Sequence, residues 1–262
     1  MELGKGDTET TATEEAAPLR PRHAAMSEGS WHSQRLVAFD LETTGVNLDE
    51  SRIVTASISI VGGGEANESY DWLINPGIEI PAEATEVHGI SNAEAQEHGR
   101  PPAEAIPEIV AILNQGVSAK SPLVAFNARF DFSILDREVR RNRLESGLDA
   151  SAAIIDPYVI DRQAERYRPG KRTLVDLCRH YGVDFDAADA HAADVDALQA
   201  ARLAYRIGQC YPNLGKLSAE EMHQRQIGWA ETQARGLKKY FEKKGNNSHV
   251  DIDWPIVPAK NA

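Results

Sequence analysis

An α/β fold built on one mixed five-stranded sheet flanked by helices is predicted by three features of this 262-residue chain. Three strand-like runs, 36–41, 53–61 and 68–74, follow one another with short links, as in an antiparallel meander. Two later runs, 123–126 and 152–155, are short and wholly apolar, as strands covered on both faces are. Around these later runs, apolar residues recur at helical spacing.

The run 36–41 is apolar on both faces and belongs in the middle of the sheet. Two acids sit at its end. Side chains alternate along a strand, so Asp40 and Glu42 point to the same side. Paired carboxylates on a buried strand repel each other and resist desolvation, and a bound hard cation such as Mg2+ relieves that cost. Solvated acids opening a loop fit these two residues equally well. Thr43-Thr44-Gly45 then turns the chain out of the strand.

In the second strand Ala56, Ile58 and Ile60 alternate with Ser57 and Ser59. Gly62-Gly63-Gly64 makes the turn into the third, which Asn75-Pro76-Gly77 ends. Glu86-Val87-His88-Gly89-Ile90 reads as a loop, and Ser91 with Glu94 as a capping box. Ile106, Ile109, Val110 and Leu113 mark an amphipathic helix. The apolar run 123–126, parallel to the first strand, leads into Asn127-Ala128-Arg129-Phe130-Asp131, which opens a helix through Ile134, Leu135 and Val139. The helix dipole by itself accounts for an acid such as Asp131 in a first turn.

Asp156-Pro157 ends the fifth strand. Thr173 caps a helix bearing Leu174, Leu177, Cys178 and Tyr181, and Gly182 stops it. Between them Arg162, Arg166, Arg168, Lys171 and Arg172 form the densest basic cluster, and a charge cluster of this kind reads as a solvated loop. A long Ala-rich helix follows, opened by residues 189–198. Its small residues let His191, Asp194 and Asp196 approach another element closely.

The net charge of −12 does not suit a protein that coats itself in nucleic acid. The first thirty residues carry six acids and three bases, so −9 remains with the rest. A polynucleotide must therefore be held locally, as at an end. No apolar run approaches a membrane span, and no signal peptide is visible, so the expected compartment is the cytoplasm. Cys178 and Cys210 make neither a disulfide framework nor a zinc spacing. The expected organisation is a disordered extension over 1–30, in which Met26 is a second candidate start, a main domain over 31–211, a charged helical extension over 212–244 and a polar tail over 245–262. Ser218 with Glu221 caps the extension helix, and Ala230, Ala234, Leu237 and Phe241 share one of its faces.

Taken in order, Phe39-Asp40-Leu41-Glu42-Thr43-Thr44-Gly45, Val87-His88-Gly89-Ile90, Asn127-Ala128-Arg129-Phe130-Asp131 and His191-Ala192-Ala193-Asp194-Val195-Asp196 closely resemble the motifs of the DEDD superfamily of 3′–5′ exonucleases. The branch with a catalytic histidine fits best, the one that includes the proofreading epsilon subunits of bacterial DNA polymerase III and their stand-alone relatives. His191 lies five residues before Asp196, whereas the tyrosine of the other branch would fall at Ala192. The resemblance covers residues 36–208 and implies a ribonuclease H-like fold, with three antiparallel strands followed by parallel ones.

It further implies that Asp40, Glu42, Asp131 and Asp196 hold two divalent ions, Mg2+ or Mn2+, about 3.5–4 Å apart, with Asp40 bridging both. His191 becomes the general base, and Leu41, Thr43, Thr44, His88 and Phe130 surround the terminal nucleotide. Phe130 reads equally well as plain core. The implied activity is metal-dependent hydrolysis of nucleic acid from its 3′ end, of single-stranded DNA in the first instance, to nucleoside 5′-monophosphates. The alternatives are an RNA-trimming enzyme of the same fold and an inert binding module, and the complete set of four acids and a histidine speaks against the second. No sliding-clamp motif is evident, because Gln233 lacks the apolar residue three positions on, and polymerase association is not evident either.

Overall fold

One sheet of order β3-β2-β1-β4-β5 organises the protein in a computed structural model that describes residues 29–185 and 193–259. β1 (Arg35–Thr43) pairs antiparallel with β2 (Ile53–Gly62), and β2 in turn with β3 (Glu68–Leu73). β4 (Leu123–Val124) and β5 (Ile154–Ile155) add in parallel on the other side of β1. The sequence pattern predicts this mixed sheet strand by strand, with β4 and β5 shorter than the apolar runs that announce them.

β1 is central because both of its faces are apolar. Val37, Phe39 and Leu41 enter one core with α3 (Pro102–Ser118) and α4 (Arg129–Arg141). Leu36 and Ala38 enter a second core with α6 (Leu174–Tyr181) and α7 (Ala193–Cys210). Four buried alanines on α7, Ala197, Ala200, Ala201 and Ala204, let its backbone lie close to β1 and β2. Gly208 carries that closeness to the end of the helix, where a Cβ would stand 2.3 Å from the His32 ring. Cys178 is buried in this second core, which pushes its thiol up to about 12.

Elsewhere the structure departs from the sequence reading. Residues 86–88, read as loop, form the last turn of a short helix, α1 (Ala82–His88), which Gly89 ends at φ 81°. No residue of α1 is buried, so it has no apolar period to read. Ser91 does cap a helix, α2 (Asn92–His98). A further helix, α5 (Pro157–Ala164), starts directly at Asp156-Pro157, where proline at the first helical position is favoured. The basic cluster is only partly a solvated loop. Arg168 and Arg172 both pair with Asp161, which is fully buried and also accepts from the Tyr181 hydroxyl at 2.9 Å.

Beyond α7 come α8 (Pro212–Gly215) and α9 (Ala219–Lys243), the latter with the Ser218–Glu221 capping box. The buried face of α9 runs through Met222, Gln226, Ala230 and Ala234, while Leu237 is exposed. The segment after Gly245 then returns across α4 and is anchored on it. Arg129 donates to the Asp251 carbonyl at 2.9 Å, and Arg137 to that of Val257 at 2.6 Å. The Val257 N–H donates to the Ser133 hydroxyl at 2.9 Å, and Trp254 is buried with its ring 5.3 Å from that of His223. Two apolar anchors in a polar stretch give no periodicity, which is why the sequence reads as a tail. Among the described residues no helix is long and apolar enough to cross a membrane.

Candidate active site

The alternation that puts Ala38 on the α7 side of β1 puts Asp40 and Glu42 there too. Asp196, in the first turn of α7, meets them. One carboxylate oxygen from each of Asp40, Glu42 and Asp196 lies within 4.8 Å of the others. Oxygens that share a hard divalent ion at about 2.0–2.6 Å stand about 4–5 Å apart at most, so the three fit one such ion. An all-oxygen donor set also suits Mg2+ or Mn2+ better than a soft metal.

Asp131 joins from the opposite side. It is buried in the first turn of α4, and its carboxylate accepts from its own backbone N–H and from that of Leu41. The turn before it is held by Asp156. One Asp156 oxygen accepts from the Asn127 N–H and the other from the Ala128 N–H, both at 3.0 Å, while Asn127 adopts a left-handed φ of 63°. Asp156 also caps α5 through the Tyr158 N–H at 3.0 Å and accepts from Trp254 Nε1 at 3.3 Å. The sequence reading treats Asp156 only as a strand end. The signal available was an Asp-Pro pair at a helix start, which marks a cap without revealing its other three donors.

The electrostatics follow from this crowding. Burial pushes the Asp40 carboxyl well above the usual range, and Asp131, Asp196 and Glu42 push it further. Burial and then Asp196 raise Glu42 to about 7. Asp131 is raised by burial, with Asp156 and Glu42 adding to the effect and its two N–H donors opposing it. Burial likewise lifts Asp156 to about 6 despite its donors. Asp40, Glu42 and Asp131, each raised and crowded together beside Asp196, make a site that gains by binding positive charge.

The remaining candidates take varied positions. Leu41 turns its side chain into the core and offers its N–H to Asp131. The Thr43 hydroxyl donates to the Gly45 carbonyl at 2.7 Å, and that of Thr44 accepts from the Arg52 N–H at 3.0 Å, so both shape the turn after β1. His88 accepts from the Ile90 N–H at Nδ1, 3.1 Å, leaving its proton on Nε2. Burial lowers its pKa, with a backbone hydrogen bond at Thr43 opposing the shift. With Glu42, Thr55, Trp72, Ile90 and Asp194 it lines a cavity of about 380 Å³ beside the acids. Phe130 is half-buried against the first core. His191 lies outside the described residues.

Asp194 and Asp196 are separated by the rotation of α7. Asp196 faces β1, whereas Asp194 is exposed at the cavity rim. Asp196→Asn is therefore expected to lose nearly all activity and at least about 100-fold in Mn2+ affinity, more than the loss of an outer partner costs. Asp194→Asn is expected to keep both within a few-fold. Calorimetric Mn2+ titration beside a nuclease assay checks the pair, and the reverse ranking would place the ligand at Asp194.

Three comparisons bear on this geometry. Residues 37–204 match the family model described as Exonuclease (RNase_T), which spans every acid above. Ribonuclease T of Buchnera aphidicola subsp. Baizongia pistaciae is 27% identical over 213 residues, covering 77% of this chain and 91% of that one. The DNA polymerase III subunit epsilon-like protein of Rhodobacter capsulatus is 29% identical over 203 residues, covering 76% of this chain but only 24% of its own length. Among solved structures, Exonuclease X in complex with 5′ overhanging duplex DNA shares the fold at a TM-score of 0.54 and 20% identity, over 73% of this chain and 99% of that one. With the matched segment running from the start of β1 through most of α7, the chain belongs to the Exonuclease (RNase_T) family, the 3′–5′ exonucleases of ribonuclease H-like fold that its motifs resemble.

Proposed function

We propose that this chain is a metal-dependent exonuclease that removes nucleoside 5′-monophosphates from the 3′ end of single-stranded DNA. The observation that carries the reading is the meeting of Asp40, Glu42 and Asp196 within 4.8 Å, with buried Asp131 repelling Asp40 and Glu42 from α4. These four would hold two divalent cations, Mg2+ or Mn2+, which when bound polarise the phosphodiester and lower the pKa of water. The chain's own part is positional. β1 and α7 supply carboxylates from rigid elements, and Asp156 holds the turn that launches Asp131. His191 is assigned the general base, because a histidine titrates near neutrality. Leu41, Thr43, Thr44, His88 and Phe130 are assigned to the terminal nucleotide, with the cavity beside Glu42 and His88 receiving it.

The catalytic domain is assigned to 31–211, with 212–244 and 245–262 as extensions, in a cytoplasmic protein that acts without a polymerase subunit. A second reading, trimming of RNA 3′ ends, is favoured by one observation, the near full-length likeness to a ribonuclease T. Digestion of 3′- and 5′-labelled single-stranded DNA, duplex DNA with matched and mismatched ends, RNA and dinucleotides, each with Mg2+ or Mn2+, decides between them. Shortening from the 3′ end, fastest on single-stranded DNA, is expected. Faster RNA shortening would select the second reading. Cleavage only from 5′ ends, or undiminished cleavage in excess chelator, would remove both.

A further inference from the structure

Segment 158–172 carries five bases and two acids within a chain of net charge −12. Arg168 and Arg172 are taken up by buried Asp161. Arg162, Arg166 and Lys171 make no ion pair among the described residues, and Arg166 and Lys171 are exposed. The Arg162 guanidinium stands 5.4 Å from the centre of the Tyr158 ring and donates to its hydroxyl at 3.3 Å. Phe126 meets that ring edge-on at 5.8 Å. Farther along the chain Arg166 stands 5.6 Å from the ring centre of Tyr167, which is 88% exposed.

The register of the sheet links this row to the carboxylates. Ala38 pairs with Val124 across the parallel β1–β4 ladder, and Phe126 lies two residues beyond Val124, just past the end of β4, as Asp40 lies two residues beyond Ala38. Phe126 packs against the second core, which holds Ala38 and Val124, so it stands on the face that carries Asp40. From there the row continues outward over the carboxyl edge of the sheet to Tyr158 and Arg162 on α5. All three are half-buried, each keeping part of its surface open.

We infer that Phe126, Tyr158 and Arg162, extended by Arg166 and Tyr167, form the surface that grips single-stranded nucleic acid upstream of its 3′-terminal nucleotide. This rests on the nuclease reading above and adds where the strand runs. Aromatic rings accept any base because every base has a π face, and arginine adds stacking and phosphate neutralisation. On an acidic protein such a local patch is what lets a polyanion approach.

The test uses the full chain with Arg162→Glu and, as an exposed position that leaves the core alone, Arg166→Glu. Binding of fluorescent 12-mers of DNA and of RNA is followed by anisotropy in chelator across a salt series, and kcat/KM is compared for 12-mers and dinucleotides. Each variant is expected to weaken 12-mer binding about 10-fold and to reduce the salt slope by about 0.7 for each phosphate no longer neutralised. The loss in kcat/KM should be large on 12-mers and close to absent on dinucleotides, and the DNA and RNA arms show which strand the surface prefers. The inference is overturned if 12-mer binding and salt slope stay within two-fold of wild type, or if dinucleotides lose as much as 12-mers. If the wild type cleaves nothing yet binds 12-mers through these arginines, the surface stands and the nuclease reading falls. Normal wild-type cleavage with unaltered variant binding gives the opposite result.

Discussion

Asp40→Asn is expected to end hydrolysis and, in the metal-free protein, to raise the melting temperature. Both effects come from the same crowding. Asp40 is the carboxylate on which Asp131, Asp196 and Glu42 all bear, so it does most to attract cations and most to strain the empty fold. A cation that stabilises developing phosphoryl charge supplies several kcal/mol, so its loss should slow turnover on the order of 10³-fold or more. Neutralising the acid on which the other three bear should raise melting in chelator by about 2–4 °C per kcal/mol of repulsion relieved. The pH dependence carries a definite sign. These carboxyls have folded pKa values above their unfolded ones, so the folded state binds protons more tightly. In the metal-free wild type these groups therefore contribute stability that is greatest at low pH, and for Glu42 that contribution should be lost as pH rises from 4.5 to about 7. In Asp40→Asn that decline should flatten, and saturating Mn2+ should abolish it in the wild type. Thermal melts at pH 5 and 7.5, with chelator and with Mn2+, read all of this. A variant that melts lower than wild type in chelator at pH 7.5 would contradict it.

The second large effect is expected at Asp156, which touches no substrate. Asp156→Ala strands the N–H groups of Asn127, Ala128 and Tyr158 and the indole of Trp254. A buried donor without its acceptor costs about 1–3 kcal/mol, and breaking a buried charged network on the order of 3–5 kcal/mol. The melting temperature should fall by roughly 10 °C or more. The αL turn at Asn127 loses its anchor as well, so Asp131 should drift and Mn2+ affinity should drop in protein that is still folded. Trp254→Phe removes one donor and keeps an aromatic ring in place, and should cost about 1 kcal/mol with little change in Mn2+ affinity. An Asp156→Ala protein melting within 2 °C of wild type would show that the four hydrogen bonds do not hold the turn.

The physical division between what was legible and what was not runs along range. Strand alternation is a local property, so β1 by itself places Asp40 and Glu42 on one side, and residues 36–41, apolar on both faces, predict a central strand. Caps are local too, and Thr173–Asp176 and Ser218–Glu221 close as capping boxes. α1 has no buried residue and α5 only two turns, so neither offered a period long enough to read. The candidate site was half legible. The acids were visible as residue types, but helical spacing gives apolar neighbours to both Asp194 and Asp196. Only the packing of Ala197, Ala200 and Ala204 against the sheet sets the rotation of α7 that turns Asp196 toward β1. Asp161 drawing in Arg168 and Arg172, Trp254 returning to Asp156, and Phe126 reaching the Asp40 face of the sheet all join residues remote in sequence or on separate elements. The sequence alone determined the sheet, its central strand and the residue types of the site. Tertiary structure alone decided which carboxylate meets which, because that depends on the rotation and register of elements folded far apart along the chain.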